Sequence, residues 1–471
     1  MTTPYTPSLR ILQIVHDFPP YNIAGTEVYT YNLSIELAKR HKVFIFHRIN
    51  DKRKGEFEII HNEHKGLQVY SINNTFKTCD SFEMIYNNEI ITDLFSKFLN
   101  EINPDIVHVQ HLLFLSIGII EEIKKKGIPI VFTLNDYWLM CPQCQLLKKN
   151  LEVCQEHTLS DCIKCVRYQL VIKRGVMDFY WFLRNKLPAF LIQILKNIYF
   201  VYARSSFLSK KEEIKQIDSR AKCLRQICAM VDIFLAPSNF LRERFIDFGI
   251  PENKIILARY GLNTNLFEEF QKSLSGKIRF GFIGTLLPSK GAHILINAFN
   301  GIKRRNIELQ IYGRKASYKG FEYYLKYLTK IGQNDNIHFM GGYNNEKIAE
   351  ILSGIDILVV PSIWYENSPL VIQEAFLAKV PVIASGIGGI PELVNNGVNG
   401  LLFKPGDSKE LREKLQYVME NPDFLKKAQE NMPVVESIET HAKKIEILYS
   451  RLLLKRNNHE TIPKGTKSLC L

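Results

Sequence analysis

Short apolar runs alternate with helical stretches along the first third of the chain. Two helices are predicted there, at 27–39 and 117–126, because their apolar residues recur at helical spacing. Short buried strands separated by helices are typical of a parallel sheet in an α/β domain. The pattern therefore predicts one Rossmann-like unit. Its predicted strands are RILQIVHDF, KVFIFH, DIVHVQH and IPIVFTL.

The same alternation starts again at Lys277 and predicts a second doubly wound domain. Each predicted strand is followed by a helix, such as 293–302, or by a glycine-rich turn. The stretch 433–455 has helical spacing, and we expect it to cross back onto the first domain. The predicted strands are IRFGFIG, ELQIYG, NIHFM, DILVVPS and VPVIAS.

Composition and hydropathy fit a soluble globular protein and exclude a mainly disordered chain. Hydrophobic residues make up 46% of the 471 residues, charged residues make up 23%, and the mean hydropathy is −0.09. No apolar segment approaches the roughly 18 uninterrupted residues that span a bilayer. The initial segment MTTPYTPSLR also lacks the apolar region of a secretory signal. We therefore expect a cytoplasmic protein.

Basic residues exceed acidic ones by 61 to 48, which gives a net charge of +13. Such an excess indicates a polyanionic partner: nucleic acid, an anionic membrane surface or phosphorylated small molecules. The segment 170–225 alone contributes +8 and is rich in aromatic residues. Aromatic rings beside Lys and Arg are typical of helices at a membrane interface, so peripheral attachment to the inner face of the membrane is one interpretation. Two ordinary packed helices with solvated charges are the other.

Two glutamates in the stretch ENSPLVIQEA, Glu366 and Glu374, are the strongest candidates for ligand binding. The apolar run DILVVPS ends just before Glu366, and Pro369 suits the first residue of a helix. Glu366 is therefore predicted at the carboxyl edge of the sheet, where α/β domains bind ligands. The amides of Leu370 and Val371 would then hold a diphosphate, and Glu374 would reach a ribose. Spacing alone would favour two solvated glutamates, but the strand before them and the glycine-rich turn after them favour a site.

Four segments in a fixed order resemble a known family. Together they resemble the retaining GT-B glycosyltransferases often called group 1, over most of the chain outside 170–225. The resemblance implies an α/β GT-B fold, with two Rossmann-like domains facing each other across a cleft and a C-terminal helix crossing back to the first domain. The segments are HDFPPYNIAGTEVYTYNLSIELAKRH, APSNFLRERF, FGFIGTLLPSKG, and ENSPLVIQEA followed by VPVIASGIGGIPELV.

The resemblance also implies domain limits. Residues 1–265 would form the acceptor-side domain, including a cysteine-rich loop at 141–165 and the basic, aromatic insertion at 170–225. Residues 266–435 would form the nucleotide-sugar donor domain. The crossover helix would occupy 436–456, and 457–471 would be a flexible tail.

Roles for individual residues follow from the same resemblance. Gly25 would let the acceptor-domain backbone approach the donor diphosphate, and Lys290 would neutralise charge on the leaving diphosphate. Glu366 would hold the donor sugar and Glu374 the ribose. The other residues implied in donor binding are Gly284, Thr285, Ser368, Leu370 and Val371.

Two positions depart from the commonest family pattern. Thr285 stands where many members carry Arg, so Arg259 and Arg314 are candidates to supply that cation. Asn135 stands where many members have a His that contacts the donor sugar. Asparagine forms hydrogen bonds but cannot act as an acid or base, which draws attention to the adjacent Asp136. Asn135 and Asp136 are both kept as catalytic candidates. The two departures from the family pattern leave open that the enzyme is less active or differently selective.

Five cysteines lie close together in the sequence. Cys141-x2-Cys144, seventeen residues, and then Cys162-x2-Cys165 match the spacing of a four-thiolate zinc site. Cys154 and His157 are alternative ligands. We predict a structural zinc ion there and no catalytic metal, since no Asp-x-Asp pair stands beside the donor site. Free buried thiols are the alternative, and disulfides would need an oxidising compartment.

The predicted function is transfer of a sugar, with retention, from a nucleotide-diphosphate sugar to a glycan or lipid-linked acceptor, in cell-surface polysaccharide biosynthesis. A nucleotide-sugar epimerase or a non-catalytic donor-binding subunit of the same fold is the second interpretation. A basic zinc-containing nucleic-acid-binding protein is the third. It leaves the second domain unexplained, so we expect no nucleic-acid partner.

Overall fold

The computed structural model describes residues 8–20, 24–155, 158–170, 183, 187–205, 209–304, 306–315, 321 and 323–458. Its first eight strands form one sheet in the order β3-β4-β2-β1-β5-β6-β7-β8. Neighbouring strands pair in parallel except β3 and β4, which pair antiparallel at the edge. The strands are β1 (Arg10–Val15), β2 (Lys42–Ile49), β3 (Ile59–His64), β4 (Leu67–Asn73), β5 (Ile106–Val109), β6 (Ile130–Thr133), β7 (Ile233–Ala236) and β8 (Ile255–Leu257).

The remaining six strands form a second, wholly parallel sheet in the order β11-β10-β9-β12-β13-β14. Helices connect successive parallel strands in both sheets, so each sheet belongs to an α/β domain. We call these the first and second domains. The strands of the second are β9 (Ile278–Ile283), β10 (Ile307–Tyr312), β11 (Ile337–Gly341), β12 (Ile357–Val360), β13 (Val382–Ser385) and β14 (Gly400–Phe403).

Seven described helices lie before β9, and another seven follow it. Among the helices in the described ranges, none is both long enough and apolar enough to cross a membrane. The first seven are α1 (Gly25–Ala38), α2 (Glu89–Ile102), α3 (Gly118–Lys125), α4 (Leu159–Leu170), α5 (Ala189–Ser205), α6 (Lys210–Met230) and α7 (Asn239–Phe248). The others are α8 (Ala292–Asn300), α9 (Tyr324–Ile331), α10 (Ile348–Ser353), α11 (Leu370–Leu377), α12 (Ser408–Glu420), α13 (Pro422–Glu430) and α14 (Ile438–Asn458).

Helix α2 illustrates how the sequence determines these elements. The Asn88 side chain accepts a hydrogen bond from the backbone amide of Ile91 at 3.2 Å, which caps the helix start. Apolar residues then recur at helical spacing and face the core, while Asn103 ends the helix in the left-handed conformation. The buried residues of this face are Ile91, Phe95, Phe98, Leu99 and Ile102.

The C-terminal helix α14 packs on the first domain. Its Tyr449 is fully buried, and the Tyr449 hydroxyl hydrogen-bonds to Nδ1 of His108 on β5 at 2.6 Å. Glu446 accepts a hydrogen bond from Arg40 at 2.8 Å, just beyond α1. The chain therefore starts in one domain, builds the other and returns, which confirms the predicted crossover.

Candidate active site

A cavity of about 370 Å³ lies between the two domains, at the carboxyl ends of both sheets. Twelve residues predicted to act in the site line this cavity. Those from the first domain are Gly25, Asn135 and Asp136. Those from the second domain are Gly284, Thr285, Lys290, Arg314, Glu366, Ser368, Leu370, Val371 and Glu374.

Arg259 is the exception, and its prediction as a cleft cation was wrong. Beyond β8 the extended chain alternates sides, so that Ala258 and Tyr260 are buried while Arg259 is exposed. Tyr260, and not Arg259, lines the cavity. Among the described residues, the cations that reach the cavity are therefore Lys290 and Arg314.

Glu366 and Lys290 form an ion pair in the cleft, with 2.7 Å between Lys290 Nζ and Glu366 Oε1. The same carboxylate oxygen accepts hydrogen bonds from Ser362 Oγ at 2.7 Å and Trp364 Nε1 at 2.8 Å. A carboxylate held by three donors on one oxygen is fixed in orientation. Its other oxygen, Oε2, has no hydrogen-bond donor among the residues described here.

The glycine-rich turn after β13 packs directly against the backbone of Glu366. The Gly389 amide donates to the Glu366 carbonyl at 2.7 Å. At Gly388, φ is +63°, and a Cβ there would lie 2.3 Å from that carbonyl oxygen. Only glycine fits this approach, so the turn fixes the position of Glu366.

Helix α11 directs its amino-terminal amides into the cavity, since Ser368, Leu370 and Val371 all line it. The positive end of the helix dipole is a ready site for an anion such as a diphosphate. Gly25 begins α1 across the cleft, and a Cβ on it would meet only Leu370 Cδ1, at 3.9 Å. The missing side chain therefore leaves open space beside these amides, as a ligand would require.

Glu374, in the middle of α11, is buried at the edge of the cavity. Burial raises the pKa of its carboxyl group to about 7, and a hydrogen bond from Asn345 at 3.4 Å opposes that rise. Near neutral pH this carboxyl group can thus both donate and accept hydrogen bonds. Such a group is suited to a diol, as predicted for the ribose.

Asn135 is held on three sides at the end of β6. Its Nδ2 donates to the Gln110 carbonyl at 2.8 Å, and its Oδ1 accepts from the Tyr260 hydroxyl at 2.6 Å. Its backbone carbonyl accepts from Nδ2 of Asn367 in the second domain. Asn135 therefore joins the two domains and fixes the wall of the cleft, and its amide has no acid or base chemistry.

Sequence reasoning missed two histidine–carboxylate pairs on the first-domain side of the cleft. His111 Nε2 lies 3.0 Å from Asp136 Oδ2, and His16 Nε2 lies 3.1 Å from Glu27 Oε1. The two imidazole rings are 4.5 Å apart. The Leu113 amide donates to His111 Nδ1 at 2.9 Å, so the proton of the neutral ring lies on Nε2, the nitrogen nearer to Asp136.

Burial raises the pKa of Glu27 to about 7 and lowers the pKa of His16 well below its usual value. The pair of Glu27 and His16 therefore gains or loses a proton within the physiological range of pH. The signal in the sequence was that His16 directly follows β1 and His111 closely follows β5, and these strands are neighbours. Glu27 escaped attention because it fits a capping box, in which it accepts from the Ala24 amide at 3.0 Å.

The cysteine-rich loop does not support the predicted zinc site. In the described chain, which omits 156–157 and with them His157, no three His, Cys, Asp or Glu side chains form a group that could hold a metal ion. Cys141, Cys144, Cys162 and Cys165 form no disulfide. Burial raises the pKa of the Cys141 thiol to about 11 and of the Cys162 thiol to about 12, and it also raises that of Cys154.

The cysteine-rich loop is held by its own packing. It buries apolar side chains in the core of the first domain. Its backbone is also closed on itself, since the Tyr137 amide donates to the Cys144 carbonyl at 3.1 Å and the Cys154 amide to the Leu146 carbonyl at 2.7 Å. The buried apolar residues within 141–165 are Leu146, Leu147 and Ile163, and the segment that leads into the loop adds Tyr137, Trp138, Leu139 and Met140.

Comparison with known proteins finds two family matches. Residues 265–434 match the family described as Glycosyl transferases group 1, and residues 23–161 match Glycosyltransferase Family 4. The chain is 24% identical to the MMP alpha-(1->4)-mannosyltransferase of Mycolicibacterium hassiacum, over 46% of this chain and 51% of that protein. It is 27% identical to the amylovoran biosynthesis glycosyltransferase AmsK of Erwinia amylovora, over 41% of this chain and 49% of that protein. The chain thus spans about half the length of these curated relatives.

The fold is shared with a solved structure, that of HepE from Anabaena in complex with UDP and glucose. The two superpose with a TM-score of 0.62 at 17% identity, over 94% of this chain and 99% of that one. The two parallel-sheet domains match those of GT-B glycosyltransferases, which confirms the predicted fold class.

Proposed function

We propose that this protein is a glycosyltransferase that moves a sugar, with retention, from a nucleotide-diphosphate sugar to a glycan or lipid-linked acceptor. The Glu366–Lys290 ion pair beside the amino terminus of α11 carries the proposal. It combines a fixed acceptor for sugar hydroxyls with a cation and a helix dipole for a diphosphate. The similarity to AmsK supports a place in polysaccharide biosynthesis.

The diphosphate would lie between Gly25 and the first turn of α11. Lys290 Nζ would neutralise the negative charge that grows on the leaving diphosphate, and Arg314 would add a second cation from the segment after β10. Glu374 would accept and donate hydrogen bonds at the ribose. Thr285, in place of the usual Arg, leaves this cation set smaller, and we expect weaker diphosphate binding as a result.

The donor sugar would hydrogen-bond to Oε2 of Glu366, the oxygen that is left open. We assign no covalent nucleophile. Retention without one requires the acceptor hydroxyl to approach the face from which the diphosphate leaves. The histidine–carboxylate pairs of His16, Glu27, His111 and Asp136 would hold that hydroxyl from the first-domain side.

The proposal is tested by Glu366→Ala. Loss of a charged hydrogen bond made in the transition state should lower turnover by at least about a hundredfold. Glu430→Gln, at an exposed glutamate far along the chain, is the matched control and should keep full activity. Transfer by Glu366→Ala at the wild-type rate would contradict the role.

The donor is identified by measuring the melting temperature of the protein with each member of a panel of nucleotide sugars. A ligand that binds the native state raises that temperature. Product analysis with the stabilising donor then separates the interpretations. A glycoside with the donor's anomeric configuration supports retaining transfer. A new sugar epimer would indicate an epimerase, and binding without any product would indicate a donor-binding subunit.

We also propose peripheral attachment to an anionic membrane through α5. Four apolar side chains at spacings of 4, 4 and 3 residues form a stripe that faces solvent on this helix. The sequence 179–211 around it has six Lys or Arg and no Asp or Glu, which complements anionic lipid. The stripe is Phe190, Ile194, Ile198 and Val201, exposed by 65%, 49%, 57% and 65%.

Arg184 and Lys186, two basic residues of the segment 170–225, lie outside the described residues, so the test uses the stripe. Wild-type protein should cosediment with vesicles that contain anionic phospholipid and bind neutral vesicles much less. Replacing Phe190, Ile194 and Val201 with Ser should reduce that binding at least tenfold. The control is Leu274→Ser, at a residue that is 99% exposed outside α5. Equal binding by both variants, or a dimer mediated by the stripe, would contradict the proposal.

A further inference from the structure

A second cavity, of about 190 Å³, lies within the first domain. Among the described residues it shares no lining residue with the cleft. Its walls come from the segments after β4 and β5, from the cysteine-rich loop and from α4 and α6. Four of the lining residues are aromatic: Phe82, Tyr86, Phe114 and Trp138.

One charged side chain lines this cavity, whose other lining residues are the aromatic and aliphatic side chains together with Gln143, Cys144 and Gln169. Arg220, on α6, is 4% exposed. Its Nη2 donates to the Trp138 carbonyl at 2.6 Å, and its guanidinium lies 5.4 Å from the Trp138 ring and 5.8 Å from the Tyr86 ring. Within the described ranges, which leave out 171–182, no carboxylate lies within ion-pair distance of it.

Burying a cation without a counter-charge destabilises a fold, because the cation loses its hydration. A guanidinium presents five donors in a plane, and the Trp138 carbonyl occupies one side of it. Within the described part of the chain the other donors have no hydrogen-bond acceptor, which leaves them available to a phosphate or carboxylate in the bidentate manner that Arg favours. The aromatic walls would then contact an apolar group joined to that anion.

We propose that this cavity binds an organic anion, with a phosphate or carboxylate on Arg220 and an apolar portion between Phe82, Tyr86, Phe114 and Trp138. The head group has two sources with the same chemistry: a small soluble metabolite and the phosphate of a prenyl lipid. The inference does not rest on the glycosyltransferase assignment, because it uses none of the residues of the cleft.

A ligand bound in this cavity would affect the cleft through Trp138. The Trp138 ring lies 5.6 Å from the ring of His111, and its amide donates to Asp136 Oδ1 at 2.8 Å. His111 Nε2 lies 3.0 Å from Asp136 Oδ2 on the first-domain side of the cleft. Trp138 therefore lies between the proposed ligand and Asp136.

The test is calorimetric titration of the full chain with phenyl phosphate, with phenol and inorganic phosphate as the two halves of that probe. Phenyl phosphate should bind at least tenfold more tightly than either half. Arg220→Met should weaken its binding at least tenfold, because the anion loses its partner. Leu113→Trp fills the cavity and leaves Arg220 in place, so it should weaken binding similarly even if Arg220→Met fails to fold.

Lys290→Met is the control that separates this cavity from the cleft, and it should bind phenyl phosphate as the wild type does. Tighter binding of geranyl phosphate would identify the prenyl lipid as the source of the anion, and equal or weaker binding would identify the soluble metabolite. No binding of phenyl phosphate, binding that Leu113→Trp leaves unchanged, or loss of binding in Lys290→Met would overturn the inference.

Discussion

At the scale of single residues, Glu374 is placed where ligand binding would require it, and that position lowers the stability of the folded protein. The carboxyl group must be near the ligand, yet its place in α11 removes it from water and raises its pKa to about 7. The folded protein therefore binds a proton there more tightly than the unfolded chain does. Between about pH 4.5 and pH 7 this group makes the folded state less stable as pH rises.

Replacement by glutamine removes that titration. Relative to the wild type, Glu374→Gln should gain stability as pH rises from 5 to 8, by at most roughly 3 kcal/mol. Urea unfolding at both pH values measures the difference, and Glu430→Gln provides the exposed control. A difference that does not change with pH would show that the Glu374 pKa is close to its ordinary value. The same variant should bind nucleotide sugar more weakly if Glu374 holds the ribose.

Site residues that could be predicted from the sequence are marked by a motif within one short segment. Those that were missed come together only when distant segments pack. Glu366 and Lys290 each follow a strand within one short motif, so sequence order was enough to place them. Arg259 was misplaced because one step along an extended chain reverses the side that a residue faces. His16 and His111 meet only because β1 and β5 are neighbours, which depends on the packing of the whole sheet.

At the scale of elements, the cysteine-rich loop after β6 is held by its own packing. Cysteine spacing predicted a metal because it records sequence distance alone, whereas the geometry of the thiols depends on how the loop folds. Leu146 and Leu147 lie in the core, and the short antiparallel bridge between Leu147 and Val153 closes the loop. We expect stability here to depend on apolar burial.

A pair of variants distinguishes packing from metal binding. Leu146→Ala should lower the free energy of unfolding by about 2–5 kcal/mol, because it leaves a cavity in the core. Cys165→Ser, at a half-buried thiol, should lower it by about 1 kcal/mol or less. Urea unfolding and zinc analysis on the same preparations measure both. A larger effect of Cys165→Ser, together with loss of bound zinc, would contradict this account.

At the scale of the whole molecule, both domains and the returning helix could be predicted, because apolar strands and amphipathic helices are local patterns. How the domains dock could not be predicted from such patterns. Glu392 of the second domain accepts hydrogen bonds from the Asn239 and Phe240 amides at 2.9 and 2.8 Å, at the start of α7. That contact depends on two surfaces distant in sequence.

The packing of α14 on the first domain predicts how variants of Tyr449 change stability. Tyr449→Ala should lower the free energy of unfolding by about 3–5 kcal/mol, since it removes a fully buried ring. Tyr449→Phe keeps the ring and loses only the hydrogen bond to His108, which costs about 1 kcal/mol. Urea unfolding of the two variants gives both values. Equal effects would mean that the hydroxyl group, and not ring burial, anchors the helix.

Because α14 returns to the first domain, two segments of the chain connect the two domains. The outgoing and returning segments run side by side, since the Leu262 amide donates to the Glu436 carbonyl at 3.0 Å and the Ile438 amide to the Leu262 carbonyl at 2.7 Å. The second domain is therefore an insert within the first, tethered at both ends to one place. A protease cut at the exposed residue Leu274 would leave two fragments that stay together, because α14 belongs to the later fragment and packs on the earlier one.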